Sequence, residues 1–228
     1  MPSLRRAEPE LFVLDLGENH NRFNAGFVDS FEECLDEVEA AGPCALVTTA
    51  RGKVFSNGLD LEWMATQGDE ALAFLARVHE LLARVMEIGV PTVAALQGHT
   101  YAAGAMLALA HDQRVMRADR GYFCLPEVDL GIPFTPGMTE LIASRLPVPA
   151  AHESIVLGRR YGGIEAAQER VVDEAVEEGL VLSRACERAA ELAGKDPATM
   201  RTIKQRLYAS TLAALRGPLG AVSVPEPV

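Results

Sequence analysis

The sequence predicts an α/β fold in which strands alternate with helices in the first half of the chain and helices dominate the second half. Short β-type apolar runs stand at 11–16 (LFVLDL) and 45–49 (ALVTT), and residues 27–41 between them carry apolar side chains at helical spacing. The length of 228 residues suits one sizeable core. We therefore expect a single domain over 1–228, with a core to about 195, a C-terminal helix at about 196–216 and a loose tail at 217–228.

The later elements follow from periodicity and from turn residues. Residues 69–88 place Leu72, Leu75, His79, Leu82 and Met86 on one helical stripe, and Gly89 and Pro91 mark the end of that helix. The run AAGAMLALA at 102–110 is apolar on all sides, which predicts a buried helix. We further predict strands at 92–96 and 113–117, a loop at 131–137, and helices at 138–145, 150–157, 164–169, 180–193 and 199–215.

Charge and cysteine usage narrow the classes of function. The chain has 32 acidic and 21 basic residues and a formal charge of −11, which disfavours a nucleic-acid or membrane-surface partner. No apolar run reaches the ~18 residues of a membrane span. The four cysteines form no CxxC pair, and the first residues lack the apolar stretch of a secretory signal. We expect a cytoplasmic protein.

Two glycine-containing turns have backbone that can bind a ligand. In GKVFSNGLDLEWM (52–64) a strand ends in a turn and a helix begins near Asp60, so free N–H groups can point into a cavity. In QGHTYAAGAMLALAHD (97–112) a turn at Gly98 leads into a helix whose first residues are small enough for close approach of a ligand. Each segment also has a purely structural interpretation, as an ordinary connection and as a closely packed helix.

A third segment, FCLPEVDLGIPFTPG (123–137), contains a candidate acid or base. Glu127 follows Pro126 in an otherwise apolar stretch, where desolvation raises the pKa of a carboxyl group towards the value that a general base needs. The alternative is a glutamate that caps a following turn. If the segment is extended, Asp129 lies on its opposite side.

Together these segments resemble the crotonase family, the enoyl-CoA hydratase/isomerase superfamily. FSNGLDL resembles its acyl-CoA motif, VPTVAALQGHTYAAGAMLALAHDQRV its second oxyanion segment, and YFCLPEVDLGI its catalytic loop, in the same order and spacing. The resemblance implies a crotonase-like spiral of ββα units with C-terminal helices, assembled as a homotrimer or hexamer. It also implies an acyl-CoA thioester substrate, in which coenzyme A belongs to the substrate and no separate cofactor is needed.

The resemblance also assigns residues to the site. The thioester oxygen is expected between the backbone N–H groups of Leu59 and Ala103, each worth about 3 kcal/mol for an enolate oxygen. Residues Leu59, Asp60, Leu61 and Glu62 are expected along the coenzyme A path together with Phe55, and the phosphates are expected near one of three basic residues: Lys53, Arg51 or Arg22.

One position distinguishes the reactions of the family. Its hydratases use two glutamates, and the first of these falls here on Met106, which is neither acid nor base; the second falls on Glu127. A single carboxylate suits transfer of a proton from C2 to C4 of a 3-enoyl-CoA, because both carbons lie on one face of a planar dienolate. The pattern from Gly98 to Gly131 resembles monofunctional Δ3,Δ2-enoyl-CoA isomerases of the plant type, with Glu127 as the proton shuttle and Met106 keeping water away.

Other interpretations stay open at this point. Glu127 could serve another acyl-CoA enolate reaction, or a hydratase whose second group is Asp129 or Glu140. The chain could also be a catalytically inactive crotonase-fold binding or scaffold protein. Its five histidines have neither the i, i+4 spacing nor the neighbouring cysteines or carboxylates of a metal site, so no metal is expected.

Overall fold

A computed structural model describes residues 1–220, and residues 221–228 of the predicted tail lie outside the described part. Nine strands form two sheets within that part. The large sheet has the order β1-β2-β3-β5-β7-β9 and the small sheet the order β4-β6-β8. The large sheet consists of β1 (Ser3–Glu8), β2 (Leu11–Asp15), β3 (Ala45–Thr49), β5 (Thr92–Leu96), β7 (Gln113–Arg117) and β9 (Glu174–Val176), and the small sheet of β4 (Val54–Ser56), β6 (His99–Tyr101) and β8 (Phe123–Cys124).

Eleven α-helices surround these sheets in the described residues. They are α1 (Ala25–Ala40), α2 (Leu61–Ala65), α3 (Glu70–Glu87), α4 (Ala103–Ala110), α5 (Glu127–Leu130), α6 (Pro136–Arg145), α7 (Val148–Leu157), α8 (Gly163–Gln168), α9 (Val181–Leu192), α10 (Pro197–Leu207) and α11 (Ala209–Leu215). None of the helices in residues 1–220 is both long and apolar enough to cross a bilayer.

The strand order shows a spiral of repeated units. Three successive pairs, β3 with β4, β5 with β6, and β7 with β8, each contribute one strand to the large sheet and one to the small sheet before the chain enters a helix. Neighbouring strands from β2 onward are parallel, and only β1 runs antiparallel to its partner. This arrangement confirms the predicted spiral of ββα units. It also brings the ends of β4, β6 and β8 together.

The four inner strands of the large sheet, β2, β3, β5 and β7, are buried on both faces, which explains the apolar runs in them. Alternate side chains, such as Val13 and Val47, pack against Ala185 and Ala189 of α9. The intervening side chains, such as Leu14 and Leu46, belong to the main core with α1, α3 and α4. Helix α9 is therefore the cover of the outer face, while the other face carries the helices that form the site.

The C-terminal helices dock on their own chain through a buried ion pair. Lys204 of α10 is 5% exposed, and its Nζ donates to Asp112 Oδ2 at 2.7 Å and to the Val90 carbonyl at 3.1 Å. Asp112 Oδ2 also accepts the Thr92 N–H at 2.8 Å. Helix α11 then packs against α6 and α3. The ion pair joins α10 to the residues at the starts of β5 and β7.

The structure corrects three details of the predicted elements. The helix predicted at 199–215 is interrupted at Tyr208, whose ψ of 24° departs from helical geometry, so that α10 and α11 are separate. The segment at Glu127 is a helical turn, α5, and not extended, but Asp129 still lies on the side opposite the buried Glu127, as predicted, because residues two apart on a helix point in nearly opposite directions. The strands of the small sheet were not predicted, since two or three residues are too short to show an alternating pattern.

Candidate active site

A cavity of about 470 Å³ opens where α2, α4, α5 and the loop before α6 meet. Its wall is largely apolar, formed by Leu59, Leu61, Met64, Leu75, Ala102, Ala103, Met106, Pro126, Leu130, Ile132, Pro133, Phe134 and Met138. Its polar lining consists of Arg22, Asn57, Glu62, Tyr101, Cys124, Glu127, Thr135 and Arg160. A largely apolar cavity with a few convergent polar groups is the expected form of a small-molecule site.

Two backbone N–H groups in this wall are free to bind an oxygen. The FSNG turn touches the start of α4 so closely that a Cβ at Gly58, where φ is +78°, would lie 2.7 Å from the Ala103 nitrogen. On either side of Leu59, the Gly58 carbonyl accepts the Phe23 N–H and the Asp60 N–H donates to the Phe23 carbonyl. Within residues 1–220 neither the Leu59 nor the Ala103 N–H donates to a protein acceptor. This geometry suits an oxyanion.

The residue before Ala103 has a strained backbone. Ala102 has φ 50° and ψ −127°, a region that residues with a Cβ rarely occupy, and it immediately precedes the first residue of α4. Such a conformation costs on the order of 1–3 kcal/mol and persists only where the surroundings hold it. The strained residue thus sits next to one of the two free N–H donors.

Glu127 places a desolvated carboxyl group in the same cavity. It is the first residue of α5, its side chain is buried, and its Oε2 has no hydrogen-bond partner among residues 1–220. Burial raises the pKa of Glu127 to about 7. A carboxyl group with this pKa is close to half-protonated at neutral pH, so that it can both accept and return a proton.

No second carboxyl group accompanies Glu127 in the depth of the cavity as residues 1–220 form it. Met106 is buried in the wall at the position where the resemblance places a hydratase glutamate. Asp129 is exposed, and Glu140 accepts the Ser210 hydroxyl; neither lines the cavity. The other acidic residue of the lining, Glu62, has a side chain that is 84% exposed. These positions leave one carboxyl group for chemistry.

The structure brings together most, but not all, of the residues singled out from the sequence. Besides Leu59, Ala103, Met106 and Glu127, the cavity wall includes Leu61 and Glu62. Three others are not in the lining: Asp60 accepts the Trp63 N–H and so caps α2, Phe55 is fully buried in the core, and Lys53 is exposed on the surface.

The candidate phosphate-binding arginines differ in position. Arg22 lines the cavity, with only long-range ion pairs to Asp60 at 4.0 Å and Glu62 at 3.7 Å. Arg51 lies outside the cavity lining, and its Nε binds Asp15 at 2.8 Å. The geometry therefore favours Arg22 over Arg51.

Several lining residues were missed in the sequence. Asn57 has a buried Oδ1 without a partner, although it stands inside the quoted FSNGLDL motif. Thr135 stands inside the quoted loop segment. Leu75 was placed on a helical stripe without any indication that it reaches a cavity, and Arg160 carried no signal at all. No group of three or more potential metal ligands occurs among residues 1–220.

The pKa of Glu127 leads to a pH prediction. A base must be ionised, and burial sets the pKa of this carboxyl group at about 7, so kcat/KM for an acyl-CoA that is deprotonated here should rise with pH through about 7 and level off above it. The pH dependence of kcat/KM, which reports the ionisation of groups in the free enzyme, measures this rise. A profile that is flat between pH 5 and 8 contradicts Glu127 as the ionising group.

Sequence comparisons identify the family of this chain. The family model described as enoyl-CoA hydratase/isomerase matches residues 11–218. "Enoyl-CoA delta isomerase 2, peroxisomal" of Arabidopsis thaliana is 35% identical over 188 residues, covering 76% of this chain and 78% of that protein. A "probable enoyl-CoA hydratase" of Bacillus subtilis is 30% identical over 205 residues, covering 87% of this chain and 78% of that protein.

The comparison with solved structures gives the same fold. Human mitochondrial delta3-delta2-enoyl-CoA isomerase superposes with a TM-score of 0.84 at 26% identity, covering 94% of this chain and 85% of that one. The family model spans β2 to β9, the two turns with free N–H groups and Glu127. This chain therefore belongs to the enoyl-CoA hydratase/isomerase family, the crotonase superfamily.

Proposed function

We propose that the protein is a Δ3,Δ2-enoyl-CoA isomerase, which moves the double bond of a 3-enoyl-CoA into conjugation with the thioester. The observation that carries the proposal is that, within the described residues 1–220, the cavity holds a single buried carboxyl group, Glu127, and two free N–H donors, Leu59 and Ala103. The names of the Arabidopsis and human relatives support the same activity.

The reaction needs one base and one oxyanion site. The ionised Glu127 removes a proton from C2, and the electron pair of that C–H bond forms a dienolate whose negative charge falls on the thioester oxygen. The N–H groups of Leu59 and Ala103 stabilise this oxygen. The protonated Glu127 then returns the same proton to C4, which leaves the double bond between C2 and C3. The apolar wall, including Met106, keeps water from the intermediate.

Coenzyme A is proposed to enter along α2. Leu59, Leu61 and Glu62 line the cavity, and the same lining contains two cations, Arg22 and Arg160, of which Arg22 is proposed to bind a phosphate. No cofactor besides the coenzyme A of the substrate takes part in the proposed reaction. Since the product is a 2-enoyl-CoA, a hydration reaction such as that of β-oxidation would consume it.

The test is an absorbance assay. Purified protein is mixed with a trans-3-enoyl-CoA, and the ultraviolet absorbance of the conjugated enoyl thioester is followed. A rise that depends on Glu127 is the expected result. No rise with folded protein would contradict the isomerase proposal and favour another acyl-CoA reaction or a catalytically inactive binding or scaffold protein of the same fold.

Hydration of a 2-enoyl-CoA is the second candidate, because one relative is named as a probable hydratase. A hydratase of this family needs a second carboxylate, and Met106 is buried in the wall where that group would stand. The isomerase proposal therefore expects hydration to be weak in the natural protein.

The variant Met106→Glu should introduce hydratase activity. The new carboxyl group can help Glu127 to hold and deprotonate water, a contribution that is typically about 10²- to 10⁴-fold. Loss of the conjugated absorbance of a trans-2-enoyl-CoA measures the effect. Met106→Gln is the matched control, since it has similar size without an acid. Equal activity in the two variants would show that the carboxylate at 106 does not promote hydration.

We also propose a homotrimer or hexamer in the cytoplasm. Val128 of α5 and Val156 and Leu157 of α7 are exposed on two helices that contact each other, and burial between subunits would remove these apolar side chains from water.

All four cysteines are free, as in a reducing compartment. Light scattering on purified protein, with a mass of three or six chains expected, tests the assembly, and cell fractionation tests the location.

A further inference from the structure

His79 is a buried histidine that the proposed reaction does not use. It lies on α3 with 1% of its surface exposed. Its Nδ1 lies 3.1 Å from the Leu215 carbonyl oxygen at the end of α11, and its Nε2 lies 3.0 Å from the Thr135 hydroxyl. The imidazole therefore connects three segments that are far apart in sequence: α3, the loop that ends at Thr135, and α11.

The direction of these hydrogen bonds follows from the chemistry of the partners. A carbonyl oxygen only accepts, so Nδ1 carries the proton and donates to Leu215. Burial lowers the pKa of His79, which favours the neutral ring. Nε2 then accepts the hydroxyl proton of Thr135, and the same hydroxyl oxygen accepts the Met138 N–H at 3.1 Å. The Thr135 side chain is thereby held in one orientation.

The connected segments form one part of the cavity wall. Leu75, one helical turn before His79 on α3, lines the cavity, as do Thr135 and Met138. A second contact joins the same segments, since a Cβ at Gly137 would lie 2.8 Å from the Leu215 Cα. The start of α6 and the end of α11 thus approach each other at the backbone, beside the hydrogen bonds of His79.

The loop held by Thr135 leads directly back to Glu127. It contributes Ile132, Pro133 and Phe134 to the cavity wall, and the Ile132 N–H donates to the Glu127 carbonyl at 2.9 Å. A displacement of Thr135 is therefore transmitted to the apolar wall first and to the turn that carries the Glu127 carboxyl group second.

We propose that His79 is a positioning residue that acts through Thr135 to set the acyl-binding wall of the cavity, and thereby the preference for longer acyl chains. The proposal rests on the proposed acyl-CoA function. A short acyl group contacts the region of Leu59, Ala103 and Glu127, whereas a longer chain must also extend along the wall formed by Leu75, Phe134 and Met138. Loss of the His79–Thr135 hydrogen bond loosens this second region, so kcat/KM falls more for longer substrates than for shorter ones.

The chain contains a matched control for this arrangement. His111 is also fully buried, with Nδ1 at 2.8 Å from the Leu107 carbonyl and Nε2 at 2.8 Å from the Thr48 hydroxyl. Neither His111 nor Thr48 lines the cavity. Removing this second histidine–threonine bond is expected to disturb the core without changing any residue of the cavity lining.

The experiment compares His79→Phe and Thr135→Val with Thr48→Val, and uses Thr135→Ser to restore the hydroxyl. The readout is the ratio of kcat/KM for trans-3-decenoyl-CoA to that for trans-3-hexenoyl-CoA. We expect this ratio to decrease by about tenfold to a hundredfold in the first two variants, because a displacement of the cavity wall by about 1 Å has effects of this size. The ratio should stay at the natural value in Thr48→Val and return towards it in Thr135→Ser.

The proposal is overturned if the ratio is unchanged in Thr135→Val, or if Thr48→Val changes it equally. If His79→Phe does not fold, His79→Leu is measured in its place, because Thr135→Val also removes the hydroxyl that accepts the Met138 N–H and so does not isolate His79. Calorimetric Kd values for decanoyl-CoA and hexanoyl-CoA give the same ratio without catalysis. If the natural protein binds these ligands but isomerises neither substrate, the isomerase proposal fails while the binding ratio still tests the role of His79.

Discussion

Replacement of Glu127 by glutamine is expected to lower the isomerase kcat by about 10²- to 10⁴-fold, the usual contribution of a general base. The amide has nearly the shape of the carboxyl group but cannot remove the proton from C2. Since no other carboxyl group reaches the depth of the cavity within residues 1–220, no neighbour can substitute for it. The absorbance assay with a trans-3-enoyl-CoA measures the loss.

The same variant should be more stable than the natural protein above pH 7, which separates lost chemistry from misfolding. Burial raises the pKa of Glu127 from the usual 4.5 to about 7. The free energy of unfolding therefore falls as the pH rises through this range, because the carboxylate ionises without a partner among residues 1–220. A pKa shift of this size lowers the free energy of unfolding of the natural protein by about 3 kcal/mol. The glutamine variant does not ionise and therefore keeps this stability. Urea denaturation at pH 8 measures it.

Asp129→Asn is the control for Glu127→Gln. Asp129 lies two residues further along α5, is exposed and does not line the cavity. The Asp129→Asn variant should therefore keep the isomerase activity of the natural protein and show no comparable gain in stability. Full activity in Glu127→Gln would remove Glu127 from the mechanism and leave the reaction without its proposed base.

The second large effect is expected from Gly58→Ala, which should lower kcat by at least about 10²-fold, as loss of one oxyanion donor does. Gly58 has a φ of +78°, and a Cβ there would lie 2.7 Å from the Ala103 nitrogen and 2.9 Å from the Ala102 Cβ. The FSNG turn and the start of α4 must then separate, which moves the Leu59 and Ala103 N–H groups apart. KM should change less than kcat, because these donors act mainly on the charge of the dienolate.

Gly42→Ala controls for backbone strain alone. Gly42 has a nearly equal φ of +81°, but a Cβ at this position would meet nothing within 4 Å. Both variants should lose stability through the left-handed backbone, and thermal denaturation compares them. Only Gly58→Ala should lose activity. If the folded Gly58→Ala protein turns over like Gly42→Ala, the two N–H groups do not form the oxyanion site.

Much of the fold could be predicted from sequence because its signals are local. The strands at 45–49, 92–96 and 113–117 have the predicted bounds, and the helix at 69–88 differs from α3 by a single residue at each end. Burial of whole strands and helices produces uninterrupted apolar runs and apolar residues at helical spacing. Both patterns can be recognised in the sequence. The break at Tyr208 and the strands of the small sheet depend on contacts with other segments, and local pattern did not show them.

The candidate site divides in the same way. The sequence by itself determined the α/β class, the motifs and the identity of the groups available for chemistry: two small-residue turns, one glutamate and a methionine in place of a second acid. Only the tertiary structure decided which groups share a cavity. It leaves Phe55, Asp60 and Lys53 out of the lining and adds Thr135, Leu75 and Arg160. In residues 1–220 it also leaves two N–H groups without acceptors and desolvates Glu127. Both effects come from segments that are distant in sequence and pack around these positions.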